Sequence, residues 1–219
     1  MKEIDKLKSK IDKRLSEVLF KDIKKLYPAQ IKAIPYINND KNLLVCAPTA
    51  GGKTLIAEII LVNEILKKKK KAVYIVPLKA LATEKFRYFS KKYPFLNVGV
   101  SSGDYDSNDY YMKDMDIIIA TSEKFDSLLR RNVKWINQIR TVIIDEIHLM
   151  NGKNRGPTLE IVITHLLRMK GIRIVGLSAT IGNPKELKDW LKADLIYDKW
   201  RPVKLKKGVY KENKIIFKE

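Results

Sequence analysis

Cysteine is almost absent from this chain: Cys46 is the only one among 219 residues. A lone thiol excludes an intramolecular disulfide and a cysteine-based metal cluster, and its place in an apolar run predicts core packing. Histidine is nearly as scarce, and His148 and His165 lack metal-ligand companions at usable spacing. Long apolar runs are missing; none approaches the ~18 residues of a membrane-spanning helix, so no membrane partner is expected. The opening Met1-Lys2-Glu3-Ile4-Asp5 is charged, so no secretory leader is expected and the expected location is cytoplasmic. There is no internal repeat, and the only low-complexity stretch is five consecutive lysines, Lys67–Lys71, read as a solvated helix end and turn. Acidic residues are outnumbered, 25 Asp+Glu against 44 Lys+Arg, for a net charge of +19 at pH 7. That surplus favours a polyanionic partner such as nucleic acid, and a lysine-rich, thermophile-like surface gives the same balance.

What is present suits one large α/β domain, or a domain with short appendages. Hydrophobic residues are 45% and charged residues 32% of the chain, enough to build a core at this length. The most informative stretch is Ala47-Pro48-Thr49-Ala50-Gly51-Gly52-Lys53-Thr54. The apolar run Asn42–Cys46 precedes it, and a helix-compatible run from Leu55 follows. Strand, small-residue loop, Lys-Thr and helix form the arrangement that cradles a triphosphate. Small residues let backbone N–H groups turn toward phosphates, and the helix start adds its positive dipole end. Lys53 can reach the β- and γ-phosphates, and the Thr54 hydroxyl can hold Mg²⁺. Ala47 stands where the usual pattern has glycine, which a loop tolerates if φ is negative there.

Residues 1–26 carry Ile4, Leu7, Ile11, Leu15, Val18 and Leu19 at helical spacing, predicting an amphipathic helix. Pro28 suits the first turn of the next helix, and Gln30 near its start carries an amide able to read both N6 and N7 of adenine. Buried strands are expected over 72–76, 96–100, 116–120, 140–145, 171–180 and 195–197. Each strand before a candidate site ends in a loop with chemistry: Pro77, Lys79 and Ala80; Thr121, Ser122 (the expected helix cap) and Lys124; then Asp145-Glu146-Ile147-His148; then Ser178-Ala179-Thr180. A carboxylate after a strand, here Asp145, can hold Mg²⁺, and its neighbour Glu146 can take a proton from an attacking water. The Ser178 and Thr180 hydroxyls can hydrogen-bond the Asp145–His148 segment. Strands alternating with helices imply a mostly parallel sheet covered on both faces, with these loops along one edge.

Taken in order, these segments resemble superfamily 2 DExH-box helicases of the Ski2-like group, most closely the archaeal Hel308-type DNA helicases. Tyr27-Pro28-Ala29-Gln30 is similar to the Q motif and Ala47–Thr54 to motif I, which in this group also lacks the first glycine. Pro77–Ala82 resembles motif Ia; Ser102–Tyr105, Thr121–Lys124 and Asp126–Arg130 resemble the segments after it, including motif Ib. Asp145–His148 is a DExH box, and Ser178-Ala179-Thr180 resembles motif III. Arg155–Glu160, Ile181–Pro184 and Trp200-Arg201-Pro202-Val203 fit the same group.

The resemblance implies a RecA-like P-loop NTPase fold with ATP and Mg²⁺ as cofactors. Gln30 and Ala47–Thr54 would bind nucleotide; Lys53, Asp145 and Glu146 would be catalytic, with Thr54 and Asp145 on the metal. Pro77, Lys79, Ala80, Thr121, Ser122, Lys124 and Arg155 would grip single-stranded or forked DNA, and His148, Ser178 and Thr180 would couple the two sites. The implied layout is an N-terminal helical segment over 1–26, a RecA-like domain over 27–203 and a basic connecting segment over 204–219. The group's second RecA-like domain, with its arginine fingers, has no counterpart in these motifs, so the implied role is motor domain 1 of a 3′→5′ DNA helicase, monomeric and weakly active alone. An RNA helicase of the same group and a non-catalytic nucleic-acid-binding module remain open alternatives.

Overall fold

The computed structural model describes residues 2–101, 111–153, 155–203, 206, 208–211 and 214–217. Seven strands make the main sheet: β1 (Asn42–Cys46), β2 (Lys71–Val76), β3 (Val98–Ser101), β4 (Ile117–Thr121), β5 (Ile139–Ile144), β6 (Arg173–Ser178) and β7 (Ala193–Tyr197). Their order is β3-β4-β2-β5-β6-β1-β7, and every pairing is parallel. Parallel neighbours need crossovers, and the intervening sequences supply them as helices.

The side-chain alternation of the strands sorts the core into two layers. Leu43, Val45, Tyr74, Val76, Ile117, Ile119, Val175 and Leu177 face one way. They meet α1 (Lys2–Lys8), α2 (Lys13–Asp22), α3 (Pro28–Ala33), α4 (Lys53–Lys68) and α5 (Lys79–Lys92). Leu44, Cys46, Val73, Ile75, Ile118, Val142, Ile144 and Ile174 face the other way, toward α6 (Ser122–Arg130), α7 (Gly156–Arg168) and α8 (Pro184–Trp190). A sheet buried on both faces explains why its central strands read as continuous apolar runs. The expected α/β class and two-faced sheet are therefore observed.

Four local expectations need correcting. The single N-terminal helix is two helices, because the Asp12 side chain accepts from the Arg14 N–H and starts a new one. Leu7, Ile11, Leu15 and Leu19 still join the sheet's core, so the N-terminal segment packs into the domain. The lysine run is not all solvated: Lys71 opens β2, is buried, and donates to Lys113 O at 2.5 Å and Met115 O at 2.7 Å. Thr121, not Ser122, caps α6, its hydroxyl accepting from the Lys124 N–H; Ser122 is the first helical residue. The third strand runs Val98–Ser101, starting later than the apolar pattern implies.

Ser102–Tyr105 lies outside the described residues. Of the 204–219 segment, β8 (Gly208–Lys211) and β9 (Lys214–Phe217) pair antiparallel as a separate hairpin. Beneath the sheet's opposite edge, Arg173 is fully buried and donates to Tyr36 O (2.6 Å), Ile37 O (3.0 Å) and Lys41 O (3.0 Å). Desolvation pushes its pKa down to about 10 despite the opposing charges of Glu64 and Asp40. This arginine pins the chain entering β1 from the end where β6 begins.

Among the described residues no helix is long and apolar enough to cross a membrane.

Candidate functional site

Because the sheet is parallel, the loops after β1, β2, β4, β5 and β6 all leave from its C-terminal edge, where open α/β sheets bind ligands. The loop after β1 turns through two left-handed residues, Ala50 (φ 64°) and Gly52 (φ 86°), with the Gly51 N–H donating to Pro48 O at 2.9 Å. Gly52 is required twice over: its φ is positive, and a Cβ there would stand 2.3 Å from Gln30 Nε2. Ala47 does not take a positive φ, so the missing first glycine costs nothing. Its N–H donates to Ser178 O at 3.2 Å, which joins the loop to β6.

Lys53 begins α4 and is buried inside this loop, donating to Ala47 O at 2.8 Å and Pro48 O at 3.1 Å. Its ammonium occupies the cradle and holds it in shape. Desolvation lowers its pKa, while the Glu146 and Asp145 carboxylates oppose that shift. Thr54 follows, exposed at the helix start. Cys46 behind the loop is fully buried, and burial pushes its thiol up to about 11, so it packs and does not react at neutral pH.

Gln30 also lies at the loop. Its Oε1 accepts from the Tyr27 N–H at 2.7 Å and its Nε2 donates to Gly52 O at 3.3 Å. The amide expected to read adenine is engaged with its own helix cap and the loop, so base contact requires it to share or exchange these bonds.

Asp145 stands one residue past β5. Its N–H donates to Ile75 O, its Oδ1 accepts from the Glu146 N–H at 3.1 Å, and its Oδ2 accepts from the Tyr74 hydroxyl at 3.1 Å. Glu146 takes φ 50°, turning its carboxylate out of the strand line. The Glu146 Oε2–His148 Nδ1 distance is 3.3 Å, and the Ala179 N–H points at that same Nδ1 at 3.4 Å. Nδ1 accepts from Ala179 only when it carries no proton and donates to Glu146 only when it does, so the two contacts exclude each other. The link from the Asp145–His148 segment to Ser178-Ala179-Thr180 thus runs through a backbone N–H, not the hydroxyls expected from the sequence.

Among the described residues no group of three or more His, Cys, Asp or Glu could hold a metal ion alone. That suits Mg²⁺, which binds through one or two carboxylates together with substrate phosphates and waters. Thr54 and Asp145 lie on the same sheet edge as the phosphate cradle and fit that role.

The loops assigned to a nucleic-acid strand lie on the far side of Asp145. Lys79 and Ala80 are exposed at the start of α5, and Pro77 is half-buried before it. The Arg155 guanidinium donates to Pro77 O and pairs with Glu123 at 3.7 Å, tying the loop after β2 to the start of α6. Pro77, Ser122, Asp145, Glu146 and Arg155 line one small cleft, so these loops abut the carboxylates. A roomier cavity of about 460 Å³, lined by His148, Met150, Asn183, Glu186 and Trp190, contains no phosphate-loop residue.

The sequence profile of the DEAD/DEAH box helicase family matches residues 27–188. The chain belongs to this family. It is 51% identical over 213 residues to the ATP-dependent DNA helicase Hel308 of Pyrococcus horikoshii, covering 96% of this chain and 30% of that protein. The Hel308 of Methanocaldococcus jannaschii is 49% identical, covering 89% of this chain and 17% of its own length. The chain therefore spans about a third or less of the curated relatives it matches. Among solved structures, a DNA-bound DUF1998 helicase, MrfA, superposes with a TM-score of 0.76 at 27% identity, covering 86% of this chain and 30% of that one.

Within this family's frame, Tyr74 is the site residue the sequence reading passed over. It sits in an apolar strand, is fully buried, and spends its hydroxyl on Asp145. Only half of the signal is in the sequence: a tyrosine inside a buried run needs a polar partner, but that the partner is Asp145 follows from β5 lying beside β2.

Proposed function

We propose that this chain is the first motor domain of an ATP-dependent 3′→5′ DNA helicase of the Hel308 type, holding Mg-ATP at Ala47–Thr54 and a single strand along the neighbouring loops. The observation carrying this reading is the shared sheet edge: Lys53 lies in a preformed cradle, and Asp145 and Glu146 stand two strands away across β6. At ordinary strand spacing β1 and β5 lie about 10 Å apart, so the cradle and the carboxylates face one another along the same edge. The similarity to Hel308 proteins over nearly the whole chain supports the same assignment.

Lys53 exchanges its two carbonyl bonds for phosphate oxygens, and the N-terminus of α4 adds its N–H groups. Thr54 and Asp145 would hold Mg²⁺, which when bound would neutralise phosphate charge. Glu146 orients the attacking water and takes its proton. Lys79, Lys124 and the Arg155 region hold the sugar-phosphate backbone with salt-dependent, largely sequence-independent contacts. Partners on this reading are single-stranded or forked DNA and a second RecA-like domain carrying the arginine finger, a group worth about 10³–10⁵ in rate. The chain alone is then a binder of nucleotide and strand with very slow hydrolysis.

The test is Lys53→Ala in the 219-residue chain. Loss of Mg-ATP binding with single-strand binding retained is expected. Unchanged Mg-ATP binding overturns the assignment of the loop, and DNA-stimulated turnover of the parent chain at motor rates overturns the dependence on a second domain.

A further inference from the structure

The roomier cavity opens where three segments meet: the turn Ile147–Asn151 after β5, the first half of α7, and the loop 181–183 leading into α8. At about 460 Å³ it has the size of a ligand pocket and not of a packing defect. Its floor continues the second core layer: Met150, Ile181 and Trp190 pack on that layer and stay half-buried. Such a floor suits an aliphatic stem and rejects a phosphate, whose charge would lose its water there.

The rim carries one sign of charge. Glu160 on α7 and Glu186 on α8 line it, and among the described residues no lysine or arginine does. Glu160 has no hydrogen bond or ion pair with any described residue. Glu186 accepts from Asn183 Nδ2 at 2.7 Å, inside its own helix cap, and has no cationic partner among the described residues. The chain has 44 Lys+Arg and a net charge of +19, yet none of those cations neutralises this pair of carboxylates. The protein's overall field repels cations, so a cation is held only where carboxylates gather locally. Lysine and arginine side chains combine the two features the cavity matches, an apolar stem and a charged head. Trp190 adds an indole against which such a head can rest.

We propose that this cavity is a docking site for a basic polypeptide segment of a partner protein, which inserts an arginine or lysine side chain with its stem on Met150, Ile181 and Trp190 and its head at Glu160 and Glu186. Charge complementarity selects this occupant: an acidic segment meets two carboxylates, and a purely apolar one leaves them unpaired. His148 also lines the cavity, so the seated segment lies beside the residue that contacts both Glu146 and Ala179. No residue of Ala47–Thr54 lines it, and docking there is independent of whether that loop binds nucleotide.

The experiment titrates the 219-residue chain, isotope-labelled at its isoleucine and methionine methyl groups, and follows the Met150 and Ile181 resonances by NMR. The probes are two acetylated, amidated peptides, Ala-Leu-Arg-Leu-Ala and Ala-Leu-Gln-Leu-Ala, and acetyl-arginine amide. The arginine peptide is expected to shift both resonances saturably and to bind about tenfold more tightly than the glutamine peptide, the worth of two partly exposed charge pairs. Glu160→Gln and Glu186→Gln should each weaken the arginine peptide about threefold, leave the glutamine peptide unaffected and leave the melting temperature unchanged. No saturable shift at millimolar peptide overturns the proposal, as does equal binding of the two peptides or indifference to both substitutions. If acetyl-arginine amide binds as tightly as the arginine peptide, the cavity takes a free small cation and the polypeptide occupant is wrong. If the parent chain self-associates in sedimentation and the two substitutions abolish it, the occupant is a second copy and the partner protein is likewise wrong.

Discussion

The Tyr74 hydroxyl donates to Asp145 Oδ2 at 3.1 Å, from the floor of the sheet to the carboxylate at its edge. Desolvation first, and then the Asp145 charge, hold the phenol well above its ordinary pKa, so it remains a donor at any working pH. Tyr74→Phe removes that donor while keeping the ring against Phe89. A loss of about 1–2 kcal/mol in urea denaturation is expected, since the half-buried carboxylate can turn to water. Mg²⁺-dependent nucleotide affinity should also fall, because Asp145 loses its orientation. Unchanged stability and affinity would show the bond to be incidental.

Lys53 predicts opposite pH responses for stability and for binding. Burial lowers its folded pKa beneath that of the unfolded chain, so between the two values the unfolded state binds more protons. This group therefore makes stability rise with pH through that window. Phosphate pairs only with the ammonium, so Mg-ATP affinity should fall as pH climbs through the lowered value, earlier than for an ordinary lysine. Affinity measured from neutrality to about pH 10, where free lysine begins to titrate, checks this; a flat profile counts against it.

Gly52→Ala should be disproportionately damaging for one methyl group. The added carbon meets Gln30 Nε2 at 2.3 Å and Tyr27 Cδ2 at 3.1 Å, on a backbone with φ +86°. A loss of about 1–3 kcal/mol is expected by thermal or chemical denaturation, with weaker nucleotide binding. Gly182→Ala, where nothing lies within 4 Å of the added Cβ, is the silent control.

Arg155→Ala frees Pro77 O and leaves Glu123 without its 3.7 Å partner. The loops after β2 and β4 then lose their common tie. Single-strand affinity should drop several-fold and Mg-ATP affinity should not change; equal loss of both would place Arg155 in the nucleotide site.

Arg173→Met tests the scaffold away from the chemistry. Three backbone carbonyls lose their buried donor. A destabilisation of about 3 kcal/mol is expected, read as a lower urea midpoint at constant m. A stabilised variant would mean that desolvating the guanidinium outweighs its three bonds.

The sequence by itself determined the class of fold and pointed to the phosphate-cradle segment as the candidate site. Doubly buried strands must be apolar throughout, so Leu43–Cys46, Val73–Val76, Ile117–Ala120 and Val142–Ile144 are visible as runs, and a phosphate cradle needs contiguous residues, so Ala47–Thr54 is legible without coordinates. Local signals were less decisive where two residues compete for one role: Thr121 and Ser122 are both good caps, and only the backbone turn chooses Thr121. Asp12 likewise interrupts a helical periodicity that Leu7, Ile11 and Leu15 continue across the break.

Tertiary structure alone decided what depends on strand order. β6 lies between β1 and β5, which brings Ser178 to Ala47 on one side and Ala179 to His148 on the other. Tyr74 reaches Asp145 because β2 and β5 are neighbours, and Arg155 reaches Pro77 across 78 positions of sequence. Asp198 reaches Cys46 O for the same reason: β7 closes the sheet against β1. Hydrogen bonds and charges act over a few ångströms of space and are indifferent to sequence separation, so these partners had no local pattern to announce them.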